Sequence, residues 1–292
     1  MLKLLTGAVS ALMLSLAPLP AVAQDADPAL WVVKDADTTI YLFGTMHAMK
    51  PGLSWFDEAV KTAFDASDEL VLEVVAPPPA EMQATVMRLA MSADGKPLTD
   101  KLPEARRAQF ARTLAGFGMP ANAMDRFDPW FASIMLGGLP LPKLGYDPAA
   151  GAERVLTDAA RKDGKRVTGL ETPEQQFAIF KNAPEATQIA YLGTLMDESD
   201  RVAPILAQIL SLWSAGQADA LGELMNREML RTPAMAKALI ADRNAAWAGW
   251  IAERMKMPGT VFFAVGGGHL GGTGNVRDLL ARRGIRVERV DY

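Results

Sequence analysis

Thr39-Ile40-Tyr41-Leu42-Phe43-Gly44-Thr45-Met46-His47, early in the chain, is answered near its end by Thr260-Val261-Phe262-Phe263-Ala264-Val265-Gly266-Gly267-Gly268-His269. Each is a run of β-branched and aromatic residues that leads straight into Gly-x-x-His, so each reads as a strand followed by a tight turn. The chain has only two histidines, and both end this pattern. Glycine is 24 of 292 residues, so finding it three positions before both has a chance of (24/292)², roughly 1 in 150. A lone histidine after a strand is ordinarily a hydrogen-bonded loop residue; a matched pair is a functional signal. Ligands of α/β sheets bind beyond the carboxyl ends of strands, and glycine there lets the backbone approach a bound group closely. The pattern predicts that the two ends of the chain build one sheet. His47 and His269, 222 positions apart, then meet at one polar site.

The segments around these runs agree. Leu30–Lys34 and Thr39–Phe43, separated by Asp35-Ala36-Asp37, predict a hairpin. Phe56, Ala59, Val60, Ala63 and Phe64 recur at helical spacing within Trp55–Ala66, and Leu70–Val75 reads as a strand, which completes a strand–helix–strand crossover. Ala80–Trp130 and Pro173–Met255 are rich in Ala, Leu, Met, Glu and Gln and predict helices, with a short strand at Lys165–Leu170 between them. A helix from Asn275 to Arg283, capped by Gly284, and a closing strand at Ile285–Val290 finish the chain. The expected fold is α/β: a mixed central sheet formed by the N- and C-terminal segments, with a large helical insertion over about 80–255, in a single domain spanning 24–292. Met82, Met87, Met91, Met225, Met229 and Met235 fall on the helices and read as core packing, against an adaptable binding groove.

Composition narrows the function classes. Lys3, an apolar run from Leu4 to Pro20 and Ala21-Val22-Ala23 read as a secretory signal peptide cleaved before Gln24 rather than as an anchor, which predicts a periplasmic or secreted protein with no membrane contact after cleavage. Losing Lys3 moves the net charge from −4 to −5, and there is no basic stripe, so no nucleic-acid partner is expected. There is no cysteine, hence no disulfide, thiolate ligand or cysteine nucleophile. G-x-S-x-G, H-E-x-x-H and G-x-x-x-x-G-K-[ST] are all missing. Gly266-x-Gly268-x-x-Gly271 with Glu288 about 20 residues on spells a dinucleotide fingerprint, but the chain ends at Tyr292, before a further crossover could follow.

Two imidazoles plus a carboxylate, with open positions, suit a divalent ion at a hydrolytic or redox site. Glu73 interrupts an apolar strand at its carboxyl end, where an unpaired buried carboxylate would be costly; its alternative is an outward-facing strand residue. Glu171, in Gly169-Leu170-Glu171-Thr172-Pro173, is the second candidate; its alternative is an ordinary acid before a helix N-terminus. Either could be metal ligand or general base.

Trp31, Ile40–His47, Leu70–Val74, Gly145-Tyr146-Asp147, Gly164–Val167, Gly169–Thr172 and Gln176 together resemble the TraB/GumN family, as do Asp242-Arg243-Asn244 with Trp247 and Gly266–Leu270. The family is similar to the Tiki proteins of animals, metal-dependent proteases with two Gly-x-x-His motifs and an essential glutamate. The resemblance assigns those roles to His47, Glu73 and His269. It also places the chain near erythromycin-esterase-like and haem-binding ChaN-like relatives, and GumN lies among exopolysaccharide genes. Where it leads one to expect Gly-x-Asp, this chain has Gly151-Ala152-Glu153; Glu153, Arg243 and Asn244 are expected to contact substrate or orient the ligands. The implied activity is an exported hydrolase, a peptidase in the Tiki manner, that uses manganese, cobalt or zinc on a peptide, ester or polysaccharide. The alternative is a non-enzymatic haem- or polysaccharide-binding protein.

Overall fold

The computed structural model describes residues 24–292, so the leader and its cleavage site lie outside the described residues. Six strands form a mixed sheet: β1 (Leu30–Lys34), β2 (Thr38–Thr45), β3 (Glu69–Val74), β4 (Arg166–Glu171), β5 (Gly259–Gly266) and β6 (Glu288–Arg289). Their order is β4-β3-β5-β2-β1-β6. The β1–β2 hairpin turns at Asp35, whose Oδ1 accepts from the Asp37 and Thr38 amides, as the sequence predicts.

The four strands β4, β3, β5 and β2 run parallel, so their carboxyl ends lie along one edge of the sheet. Strands β3 and β5, interior to the sheet, are buried on both faces and show little alternation in sequence, whereas β4 at its edge is not buried. One face packs Leu30, Phe43, Leu70, Leu72 and Phe262 against helices that include Glu58–Asp65 and Ala152–Lys162. The other packs Trp31, Leu42, Val71, Phe263 and Val265 against helices Asp242–Arg254 and Val276–Arg282.

The expected crossover exists with a difference: β2 and β3 are parallel but not neighbours, because β5 from the far end of the chain lies between them. Strand insertion cannot be read locally. The closing strand is only Glu288–Arg289, paired antiparallel to β1, and Gly284 takes the left-handed cap at φ 76°. Glu288 thus sits on an antiparallel edge strand, not on the next parallel strand that a dinucleotide fold requires. The helical segment between Pro79 and Arg254 forms cores of its own, around Phe110, Leu114 and Leu192 and around Ala90, Trp130 and Phe131. Among the described residues, no helix is long and apolar enough to cross a membrane.

Candidate active site

Because β2, β3, β4 and β5 end on the same edge, His47, Glu73, Glu171 and His269 all lie along it. His47, Glu73 and His269 line one cavity of about 370 Å³ together with Arg243 and Gln176. A second cavity of about 530 Å³ shares His47, Glu73 and Gln176. The convergence expected from the paired Gly-x-x-His motifs is therefore present. Each turn is also pinned from outside: buried Trp213 donates Nε1–H to the Gly44 carbonyl at 2.7 Å, and Asn226 Nδ2 donates to the Gly268 carbonyl at 3.1 Å.

Glu73 follows Val71 by two residues and so shares its face of β3. It is 7% exposed and fully engaged: Oε1 accepts from the Gly266 amide at 2.7 Å, and Oε2 accepts from Arg243 Nη2 at 2.5 Å and Gln176 Nε2 at 3.3 Å. Burial alone would raise its pKa; the charges of His269, Arg243 and His47 and the Gly266 amide outweigh it and lower the carboxyl to about 2. A Cβ at Gly266 would stand 3.1 Å from Glu73 Oε1, so a larger residue there would press on the carboxylate.

His269 is 5% exposed and lies on Trp247, ring centroids 4.5 Å apart. Its Nδ1 is 2.7 Å from Asn244 Oδ1, an acceptor whose amide nitrogen is committed to the Gly274 carbonyl. Nδ1 therefore carries the proton and Nε2 keeps its lone pair, which faces Arg243 Nη1 at 3.2 Å. Burial, aided by the charges of Arg243 and His47 against that of Glu73, lowers this imidazole to about 4. At neutral pH it is uncharged, and Arg243 and His47 keep Glu73 ionised.

His47 is held differently. Its side chain is 75% accessible, the open face giving onto the two cavities, while Nδ1 meets Glu153 Oε1 at 2.6 Å. The Glu153 charge and hydrogen bond raise it to about 9 against a smaller effect of burial. Glu153 also accepts from Thr45 Oγ1; burial would raise its pKa, but His47 and these hydrogen bonds hold it low. The glutamate that stands in place of the expected aspartate thus reaches His47.

Arg243 ties the buried half together. Its Nε and Nη2 donate to Glu171 at 2.8 and 3.1 Å, Nη2 also to Glu73, and Nη1 to the Leu239 carbonyl at 3.3 Å. Burial disfavours its charge, but Glu73 and Glu171 outweigh this and raise its pKa. It precedes Asn244 and lies one turn before Trp247, and a π-helical stretch, Lys237–Ala241, leads into that helix. Single π turns are frequent at functional sites. Arg243 thus contacts Glu73, Glu171 and His269, and Asn244 contacts His269. Glu171 reaches the site only through Arg243, and itself opens on a separate groove behind it. The cap of the following helix is Thr172 with Gln175, not Glu171.

The donor chemistry suits a divalent ion in one respect: Nδ1 of both imidazoles is committed to an oxygen, the arrangement that orients metal-binding histidines. That leaves His269 Nε2, Glu73, whose Oε1 is 3.9 Å from His269 Nε2, and His47 Nε2, which must first give up the proton that the Glu153 contact stabilises. Among the described residues, no three such side chains already stand as a ligand set, and Arg243 occupies the His269 lone pair. Metal entry requires the guanidinium to release that nitrogen.

The sequence profile of the TraB/PrgY/gumN family matches residues 29–289. The chain belongs to this family. Similar relatives of this TraB/PrgY/gumN protein are an uncharacterised protein of Treponema pallidum (strain Nichols), 20% identical over 92% of this chain and 85% of its own, and uncharacterised protein YbaP of Escherichia coli (strain K12), 22% identical over 87% of this chain and 92% of its own. YbaP of Shigella flexneri is likewise 22% identical. No solved structure matches significantly.

Sequence reasoning missed several groups in this family member. Trp213 and Asn226 hold the site but lie in no motif, and Thr45 fills an unspecified position of the first Gly-x-x-His. Gly151, in the sequence already for its neighbour Glu153, meets the His47 backbone so closely that a Cβ would fall 2.2 Å from its carbonyl oxygen. The methionines divide: Met235 is core, Met225 and Met229 line the smaller cavity, Met82 lines the larger, and Met87 is 43% exposed. A helix-borne methionine serves core and cavity wall equally well, so periodicity could not separate them.

Proposed function

We infer that the chain is an exported hydrolase that uses a divalent metal ion, with the cavity edge around His47, Glu73 and His269 as its active site. The observation that carries this reading is that both histidines and Glu73 line one cavity at the carboxyl edge of the parallel strands. His47, Glu73 and His269 would hold the ion, of manganese, cobalt or zinc type, which supplies Lewis acidity toward a carbonyl and acidifies water. Asn244 keeps His269 Nε2 unprotonated, Trp247 covers its ring, and Glu153 fixes the orientation of His47. Glu73 is the carboxylate that faces both cavities, so it suits the ligand or base role better than Glu171, which acts through Arg243.

The decisive experiment is elemental analysis of protein purified from the periplasm, paired with a screen on peptides, esters and polysaccharides. Stoichiometric metal that disappears in both His47→Ala and His269→Ala supports the reading; metal retained in either variant counts against the shared site. Glu73→Gln should lower turnover by about 10²–10⁴-fold. A metal-free, inert protein with a Soret band would instead favour the haem-binding alternative. Mass spectrometry of the same sample tests export, expecting Gln24 as the first residue.

A further inference from the structure

His47, Glu73 and Gln176 belong to the walls of two cavities at once. The reacting groups thus stand at a junction, with room on either side, and the two sides differ in chemistry. The smaller is walled by Phe177, Phe180, Tyr191, Met229 and Leu239, beyond its polar floor of His47, Glu73, Arg243 and His269. Phe177 and Phe180 share a face of the helix Pro173–Lys181 with Gln176, so the helix that delivers the amide to Glu73 also delivers the rings. The larger is walled by Pro77, Pro78 and Pro79 and by the helix Ala152–Lys162, from which Arg154 and Arg161 project. Its two carboxylates, Glu73 and Glu153, are each engaged, with Arg243 and with His47. Among the described residues, Arg154 pairs only with exposed Asp158 one turn on, a weak tie. The charge this side offers to an incoming group is positive.

We propose that the two cavities are the two sides of a site for an extended peptide, one taking a bulky apolar side chain against Phe177, Phe180 and Tyr191, the other an acidic side chain against Arg154 and Arg161. This rests on the hydrolase reading and adds to it which residues set selectivity. A substrate with groups on only one side of the reacting bond would leave one cavity unfilled. A prolyl wall suits an extended strand, because three successive prolines present carbonyls but no amide hydrogens.

The test is a set of peptides of fixed length in which one position is Phe, Leu or Ala and a second, across the bond, is Glu, Gln or Lys. Cleavage by the wild type is followed by mass spectrometry, and binding to Glu73→Gln by fluorescence anisotropy. The wild type should favour Phe or Leu with Glu. Phe180→Ala should lower kcat/KM for the Phe peptide by at least about 10-fold while the Ala peptide changes little, in line with the discrimination an apolar pocket gives per group. Arg161→Glu, at an exposed position that leaves the fold intact by circular dichroism, should turn the preference from Glu to Lys. Cleavage with no preference at either position overturns the proposal and leaves the hydrolase reading standing. Preferential binding without cleavage of any substrate does the reverse. Neither binding nor cleavage of any peptide overturns the proposal outright.

Discussion

His47 and His269 end the same four-residue pattern after parallel neighbouring strands, yet the molecule holds them in opposite ways. His47 opens onto the cavities and rests on a carboxylate, Glu153, so its charged form is favoured. His269 lies under Trp247, bonded to a neutral amide and facing a guanidinium, so its neutral form is favoured. The partners come from far along the chain, from the helix Ala152–Lys162 in one case and the helix Asp242–Arg254 in the other. An identical local motif therefore fixes where a side chain is placed, and the packing partner fixes its charge. One imidazole is cationic and the other neutral at neutral pH, within one cavity.

The buried half should be much the more fragile. Arg243→Ala leaves Glu73 and Glu171 without their cation at side-chain exposures of 8% and 14% and should cost about 3–5 kcal/mol in urea denaturation. Arg243→Lys should recover little of this, since an ammonium cannot reproduce the forked contacts to both glutamates. A loss under about 1 kcal/mol on the scale of exposed ion pairs would break the contrast.

Next in size are the glycines that buttress the two turns. A Cβ at Gly271 would fall 1.8 Å from the Ala218 carbonyl oxygen, and one at Gly151 2.2 Å from that of His47. Neither obstacle is a flexible side-chain end, so Gly271→Ala and Gly151→Ala should each destabilise by roughly 1–3 kcal/mol or more, read from the same denaturation curves. Equal stability to wild type in either variant would show that its turn can yield.

The smallest effects on stability, and the sharpest on the contrast, are electrostatic. Imidazole NMR should find His47 titrating near pH 9 and His269 near pH 4. Glu153→Gln should bring His47 down toward 6.5, and Asn244→Asp, which places a carboxylate on His269 Nδ1, should raise His269. The pH dependence of stability follows with sign. His47, raised in the folded state, contributes fully below about 6.5 and loses its contribution as pH rises through about 9. His269, lowered in the folded state, withdraws stability as pH falls from 6.5 through about 4, and Glu73 does so from 4.5 toward 2. The alkaline loss should vanish in Glu153→Gln; its persistence would place the source elsewhere.

Much of this site was legible before folding. The strands of β2 and β5 announce themselves because residues buried on both faces must be apolar throughout, and the glycines and histidines after them are chemically rare enough to stand out. Glu73 was legible for a related reason: a carboxylate inside an apolar strand demands a partner. The helix from Asn275 and the left-handed Gly284 followed from capping rules that act within one turn of chain. Local signals of this kind depend on residues a few positions apart, so sequence alone sets them.

What sequence did not fix are the relations between distant segments. The insertion of β5 between β2 and β3 brings the C-terminal motif beside the N-terminal one, and hydrogen bonding between parallel strands is indifferent to how far apart they lie in the chain. The π-helical stretch before Asp242, the reach of Arg243 to two glutamates and a histidine, and the assignment of Glu153 to one imidazole and Asn244 to the other arise the same way. The residues alone determined that there would be a sheet with two histidines at its edge. Tertiary packing decided which of them carries a charge, because charge is set by what surrounds a ring and not by what precedes it in the chain.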